Sequence, residues 1–355
     1  MNINDLVNNY IDTKFLHGVN VVVGTLEKDL FAQSYGFADN LHTKKMTLEK
    51  VFDLASLTKA VGVSLIAASL RDEGKLDYNF EVRKYLPEIP KENFPFGEIL
   101  VKDLLIHYSG VDSCRYYDKY MLQGYEELYN SFIYNIKGVI EPNKRYEYNC
   151  GNYILLGLII EAITNKSLKE IAKKYLFNKL ELCNTSWGIP LKNSLEEVVT
   201  PRLKTTHGTT PKELVPEYIW KLHLEDYLPS DETARWVLPY RIGNAGMFSN
   251  IIDLSKIARF ILSKPFSIST INLLTTNQAP LNMHPRSCGW DLEKESGFSS
   301  STIHHTGWSG QSMWIDLEQK IFVIVLTCRS NVLDGQRRGR LNIANAALKS
   351  LGVLT

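Results

Sequence analysis

The chain has 355 residues, 44% of them hydrophobic, and 40 basic against 39 acidic side chains give a net charge of +1. That length and apolar content can bury a large core in two lobes, and balanced charge without a long basic block leaves no electrostatic footprint for nucleic acid. No apolar run is long enough for a membrane span, and the five cysteines, Cys114, Cys150, Cys183, Cys288 and Cys328, show no Cys-x-x-Cys pair or zinc spacing.

Reduced thiols, no metal and no organic cofactor are therefore expected. The segment Met1 to Tyr10 lacks the basic region and apolar stretch of a secretory signal, so a cytoplasmic protein is expected, or an extracytoplasmic one if a leader has been removed.

In chain order, Val19 to Val23 reads as a first strand and Leu30 to Ala38 as a second, joined by a turn at Glu27-Lys28-Asp29. A small-residue, nearly all-apolar helix begins at Ser56 and runs through Leu70, and the polar stretch Arg71 to Asp77, containing Gly74, ends it. From there to about Tyr240 the chain is helical and loop-rich, punctuated by Pro87, Pro90, Pro95, Pro142, Pro190, Pro201, Pro211 and Pro216, with an apolar helix at Tyr153 to Ile163. An amphipathic helix follows at Ile252 to Leu262. Strands are expected at Cys288 to Leu292, Thr302 to His305, Ser312 to Leu317 and Ile321 to Cys328, and a helix at Arg340 to Leu351 closes the chain. Strands at both ends with helices between them predict an α+β fold in which the first and last thirds pair into one sheet. Residues 1–75 and 241–355 would form a discontinuous sheet lobe, 76–240 an inserted mainly helical lobe, and the site would lie between them.

The chemistry centres on Ser56-Leu57-Thr58-Lys59. Residues three apart share a helix face, so an amine sits behind a hydroxyl. Unpaired N–H groups of a first helical turn favour an oxyanion, and a lysine held off bulk water can lose its proton and serve as a base. Two distant segments join it: His305-Thr306-Gly307-Trp308-Ser309-Gly310, where Gly307 permits close backbone approach, and Tyr148, on the loop entering the Tyr153 helix. His304 would face away from His305 by strand alternation. His107 reads as a structural histidine, Asp253 as a helix-start carboxylate, and Arg337-Arg338-Gly339-Arg340 as a solvated turn.

The order Ser-x-x-Lys, a tyrosine loop before Tyr153-Ile154-Leu155-Leu156-Gly157, then His305-Thr306-Gly307 resembles the serine beta-lactamase-like superfamily. That group includes class C beta-lactamases, D-alanyl-D-alanine carboxypeptidases, D-aminopeptidases and related esterases. Leu104-Leu105-Ile106-His107-Tyr108-Ser109-Gly110 and Ala245-Gly246-Met247-Phe248-Ser249-Asn250-Ile251-Ile252-Asp253-Leu254 are similar to two further family segments.

The resemblance implies a mostly antiparallel sheet flanked by helices, in a beta-lactamase/transpeptidase-like α/β sandwich. It implies Ser56 as nucleophile of an acyl-enzyme, with Lys59 and Tyr148 sharing proton transfer and the base unassigned between them. Backbone N–H groups of Ser56 and Trp308 would form the oxyanion hole, and His305, Thr306 and Gly307 would orient a substrate carboxylate or leaving group. Two departures matter. Cys150 occupies the position of the family's amide, so that contact is lost or Asn149 replaces it in a shifted loop; His305 stands where class C enzymes have lysine. Both favour a small-molecule or peptide substrate of a peptidase, amidase or esterase over a dedicated beta-lactamase. An acyl-accepting sensor without turnover and an acyltransferase are the alternatives. Oligomeric state is left open.

Overall fold

A computed structural model describes residues 2–13, 15–39, 42–112, 125–188, 190–191, 197–199, 229–231, 233–234, 242–327 and 336–353. Cys114 and Cys328 lie outside them, as do Pro201, Pro211 and Pro216.

Eight strands are described: β1 Gly18–Thr25, β2 Asp29–Gly36, β3 Phe52–Asp53, β4 Ser186–Trp187, β5 Met247–Ser249, β6 Thr302–Gly307, β7 Gln311–Asp316 and β8 Ile321–Thr327. Five form an antiparallel sheet in the order β2-β1-β8-β7-β6, so the two ends of the chain meet at the β1–β8 pair. Alternation explains the layering. On β1, Val19, Val21 and Val23 face one core cluster while Val22 faces the other; on β8, Ile321, Val323 and Val325 oppose Phe322, Ile324 and Leu326 in the same way. Each fully buried side chain of this size contributes about 1.5–3 kcal/mol.

One sheet face is covered by the helices Ile3–Asp12 and Gln336–Ser350, the other by Ile251–Leu262 and the helix that follows Ser56. The result is an antiparallel sheet between helical layers, the α+β sandwich that the sequence predicts. No helix among the described residues is long and apolar enough to cross a membrane.

The middle of the chain supplies the helices Val82–Tyr85, Val101–Leu105, Tyr125–Asn135, Cys150–Thr164 and Leu168–Ala172. It is also stitched to the ends. A second sheet, β3-β5-β4, pairs β4 from the middle with β5, Val51 bridges Val198, and Ser230 N–H donates to Asp53 Oδ2 at 2.8 Å.

Two local expectations are corrected. Cys288 to Leu292 is not a strand: Ser287 and Trp290 exchange backbone hydrogen bonds around Gly289 at φ 109°, which folds the segment into a tight turn, and only Asp291 bridges β6. The helix after Ser56 is not a plain α-helix. It runs through a π segment, Lys59–Ser64, before becoming α-helical at Leu65–Asp72.

Helix Cys150–Thr164 is packed close against the loop before β5. A Cβ added at Gly243 would lie 1.9 Å from Tyr153 O, on a buried helical backbone that cannot retreat. Gly243→Ala is therefore expected to cost about 3 kcal/mol through overpacking and to lower the thermal midpoint by several degrees. An unchanged midpoint by calorimetry would contradict this packing.

Candidate active site

The turn before Ser56 is held by two backbone N–H groups. Ala55 adopts φ 43°, a left-handed conformation costing about 1–3 kcal/mol for a residue with a Cβ, and its N–H donates to Asp53 Oδ1 at 3.0 Å. Leu54 N–H donates to Met247 O at 2.8 Å, tying the turn to β5. Burial pushes the Asp53 carboxyl up, against the lowering effect of its Ser230 and Ala55 hydrogen bonds.

From there the chain tightens into three-residue turns, Leu57 N–H to Leu54 O, Thr58 N–H to Ala55 O and Lys59 N–H to Ser56 O, and then widens into the π segment. The widened turn has a visible support. Ser64 Oγ donates to Lys59 O at 2.9 Å and lies 3.2 Å from Tyr153 Oη, which itself donates to Leu105 O. π segments often occur at functional sites, and this one carries Lys59.

Lys59 is wholly buried. Its ammonium reaches Ser56 Oγ at 2.9 Å, Asn244 O at 2.8 Å and Cys150 Sγ at 3.6 Å, which accounts for its three N–H donors. Burial alone pulls this amine's pKa down, but Cys150, Tyr148 and Asp231 outweigh it and the net direction is up, so the group is held charged. Asn244 is a participant that motif reading missed. It contributes a backbone carbonyl, an atom every residue has, so its only sequence signal is its place in the Gly243-Asn244-Ala245-Gly246 segment.

Tyr148 caps the site. Its ring centre lies 5.2 Å from Lys59 Nζ, 4.5 Å from the ring of His107 and 6.1 Å from that of His305, and the side chain is 40% exposed. His107 positions the loop, as its structural reading predicts. Its Nδ1 accepts the Asn149 N–H at 3.2 Å and lies 3.0 Å from Asn152 Nδ2, while its own carbonyl takes the Glu147 N–H. Burial, then the charges of Arg286 and Lys59, holds His107 well below the ordinary histidine range.

The possibility that Asn149 substitutes for the missing family amide is corrected. Asn149 is the N-cap of the Cys150–Thr164 helix, where its Oδ1 accepts the Gly151 N–H, and its Nδ2 donates to Val111 O and Asp112 O. Its amide is directed into that loop, and Cys150 is the side chain that meets Lys59.

The third segment arrives on β6. A Cβ at Gly307 would lie 2.4 Å from Leu54 O, so glycine is what lets β6 approach the nucleophile turn. Ser309 Oγ fastens the approach by donating to Asp53 O at 2.8 Å. Trp308, 48% exposed, is thereby set in the β6–β7 turn beside the Ser56 segment, and no backbone carbonyl among the described residues takes the Ser56 N–H. Thr306 pairs with Ser312 and His305 with Met313. His304 does face away, with Nε2 donating to Glu293 O at 2.9 Å.

Behind β6 lies a buried polar group that the sequence did not reveal. Arg286 Nη1 pairs with Asp291 Oδ2 at 3.2 Å, and His284 Nε2 lies 3.1 Å from Asp291 Oδ1. Desolvation would raise Asp291, but Arg286 and the two histidines hold it down at about 2. His284, Asp291 and Glu293 are close enough to share a cation; Arg286 already compensates Asp291.

The geometry thus brings together Ser56, Lys59, Tyr148, Cys150, His305, Gly307 and Trp308 from three distant stretches of chain. A chain from Bacillus subtilis (strain 168) named N-acetylmuramyl-L-alanine amidase is 26% identical over 313 residues, covering 80% of this chain and 69% of that one. Among solved structures, an octameric penicillin-binding protein homologue from Pyrococcus abyssi matches with a TM-score of 0.74 at 21% identity, covering 99% of this chain and 77% of that one. EstCE1, described as a hydrolase with promiscuous acyltransferase activity, matches at 0.76 and 17% identity, covering 97% of each. The family model described as Beta-lactamase matches residues 3–348. With nearly its whole length matched, the chain belongs to the Beta-lactamase family.

Proposed function

We propose that the protein is a serine hydrolase that forms an acyl-enzyme on Ser56 and acts on an amide, ester or D-amino-acid peptide rather than as a dedicated beta-lactamase. The observation that carries this reading is the 2.9 Å contact between Ser56 Oγ and the wholly buried Lys59 ammonium. Ser56 Oγ attacks the substrate carbonyl, its proton leaves, and the C–O bond that forms gives a tetrahedral oxyanion received by the Ser56 and Trp308 N–H groups. An amine held as ammonium cannot take that proton. Tyr148, whose ring centre lies 5.2 Å from the ammonium, is the proposed acceptor, and the same tyrosine returns the proton to the leaving group. Water then breaks the acyl bond.

Cys150 at the lysine, in place of an amide, removes a strong donor that would hold a substrate amide, which is why esters and reactive amides are favoured. Half-exposed Tyr148 and Trp308 wall the site with apolar rings, and this supports a second reading in which an apolar alcohol competes with water for the acyl group. The test is presteady-state hydrolysis of p-nitrophenyl butyrate. A burst of one nitrophenolate per chain followed by steady release is expected. A burst with no further release would indicate an acyl-trapping protein, a faster second phase on adding butanol would indicate acyl transfer, and no burst would overturn the proposal.

A further inference from the structure

His305 and its neighbour His304 hold their ring protons on opposite nitrogens. His305 Nδ1 lies 2.9 Å from Thr306 O. A carbonyl oxygen only accepts, so Nδ1 carries the hydrogen and Nε2 carries a lone pair. Burial, reinforced by Arg286 and Lys59, keeps the ring below the ordinary histidine range and hence neutral. No hydrogen bond among the described residues uses His305 Nε2, and the ring lies on the Tyr148 side of β6.

The two cations near this ring have no free N–H group to offer an anion there. Lys59 has its three N–H donors committed to Ser56, Asn244 and Cys150. Arg286 is buried with Nη1 on Asp291, and its Nε and Nη2 are sealed in the interior with no partner among the described residues. A carboxylate brought to His305 would therefore face a lone pair and would have to recruit a proton before it could be bound.

We infer that His305 is a specificity-determining acceptor: the substrate group seated against it is a hydrogen-bond donor such as an amide N–H or hydroxyl, and a free carboxylate there is disfavoured. This inference rests on the acyl-enzyme reading above. It narrows the role given to His305 and Thr306 by the sequence, which allowed a carboxylate or a leaving group.

The test compares the benzoylglycyl thioesters of thioglycolate and thioglycolamide, identical except for a carboxylate against a primary amide on the leaving group. For the wild-type protein at pH 7.5, kcat/KM is expected to favour the amide by about tenfold or more. His305→Lys, which replaces an acceptor by a cation, is expected to reverse the preference, while His305→Gln, neutral and still able to accept, keeps it. Labelling of Ser56 by a fluorophosphonate reports that each variant has folded. A wild-type preference for thioglycolate, or equal rates, in protein whose Ser56 still labels would overturn this inference alone. Absence of turnover for both thioesters together with no Ser56 label would overturn the acyl-enzyme reading and this inference with it.

Discussion

Ser56→Ala is expected to reduce p-nitrophenyl ester turnover by on the order of 10,000-fold or more, to the background of the remaining binding groups. The hydroxyl is the atom that bonds to the acyl group, so no neighbouring donor can substitute for it. Cys150 is a thiol beside the site, and its contact is with the lysine ammonium, at 3.6 Å from Nζ. The fold should be untouched. Ser56 Oγ has Lys59 as its hydrogen-bond partner, and after its removal the ammonium keeps Asn244 O and Cys150 Sγ. Thermal midpoint and circular dichroism should therefore match the parent. Turnover retained within tenfold would show that the chemistry lies elsewhere.

Lys59→Met should be the second most damaging change. Methionine fills the same channel without charge, and losing a group that assists proton movement costs about 100- to 10,000-fold. Its three hydrogen-bond partners are a hydroxyl, a carbonyl oxygen and a thiol, and the Asp231 carboxylate, whose charge also supports the ammonium, keeps its hydrogen bonds from Ala234 and Asn244. Stability should fall by about 1–3 kcal/mol, because the buried Asn244 carbonyl loses its donor while the cost of burying the ammonium disappears. The pH dependence of the parent separates the two roles that Lys59 could play. A lysine acting as neutral base would need a depressed pKa, and rate would fall as pH dropped through it. Here the net shift is upward, so the ammonium persists on both sides of neutrality and no lysine inflection is expected between about pH 6 and 9. An inflection in that window, lost in Lys59→Met, would assign the base to Lys59.

What the sequence made legible is what local patterns encode. The valine and isoleucine runs of β1 and β8 alternate between two cores, so a period of two finds them. Ser56 and Lys59 are three apart, and Tyr148 stands at a fixed offset from a helix, so both survive as short motifs. The N-terminal helix Ile3–Asp12 was also available. Asn2 caps it through the Asp5 N–H, and Ile3, Leu6, Val7 and Tyr10 recur at helical spacing.

The rest depends on contacts between distant residues. The π segment needs Ser64 to meet Lys59 O and Tyr153, and no helical periodicity announces that. Strands β3, β4 and β5 are two or three residues long and exist through pairing between distant stretches, 197 residues apart for Phe52 with Ser249 and 62 for Ser186 with Phe248. A strand is expected at Cys288 to Leu292, whereas Gly289 turns the backbone there. Asn149 has the side chain for a substrate contact, yet its position at a helix start commits it to capping. Arg286 is a surface residue by composition and a buried charge in the fold; only the partner Asp291, bridged to β6, makes that burial tolerable.

The most direct test of the account is intact-protein mass spectrometry after incubation with a fluorophosphonate, run in parallel on the parent and on Ser56→Ala. The account predicts a single adduct on the parent, mapped by peptide sequencing to Ser56, and none on the variant. An unmodified parent that is otherwise well folded, or an adduct that persists in Ser56→Ala, would contradict it.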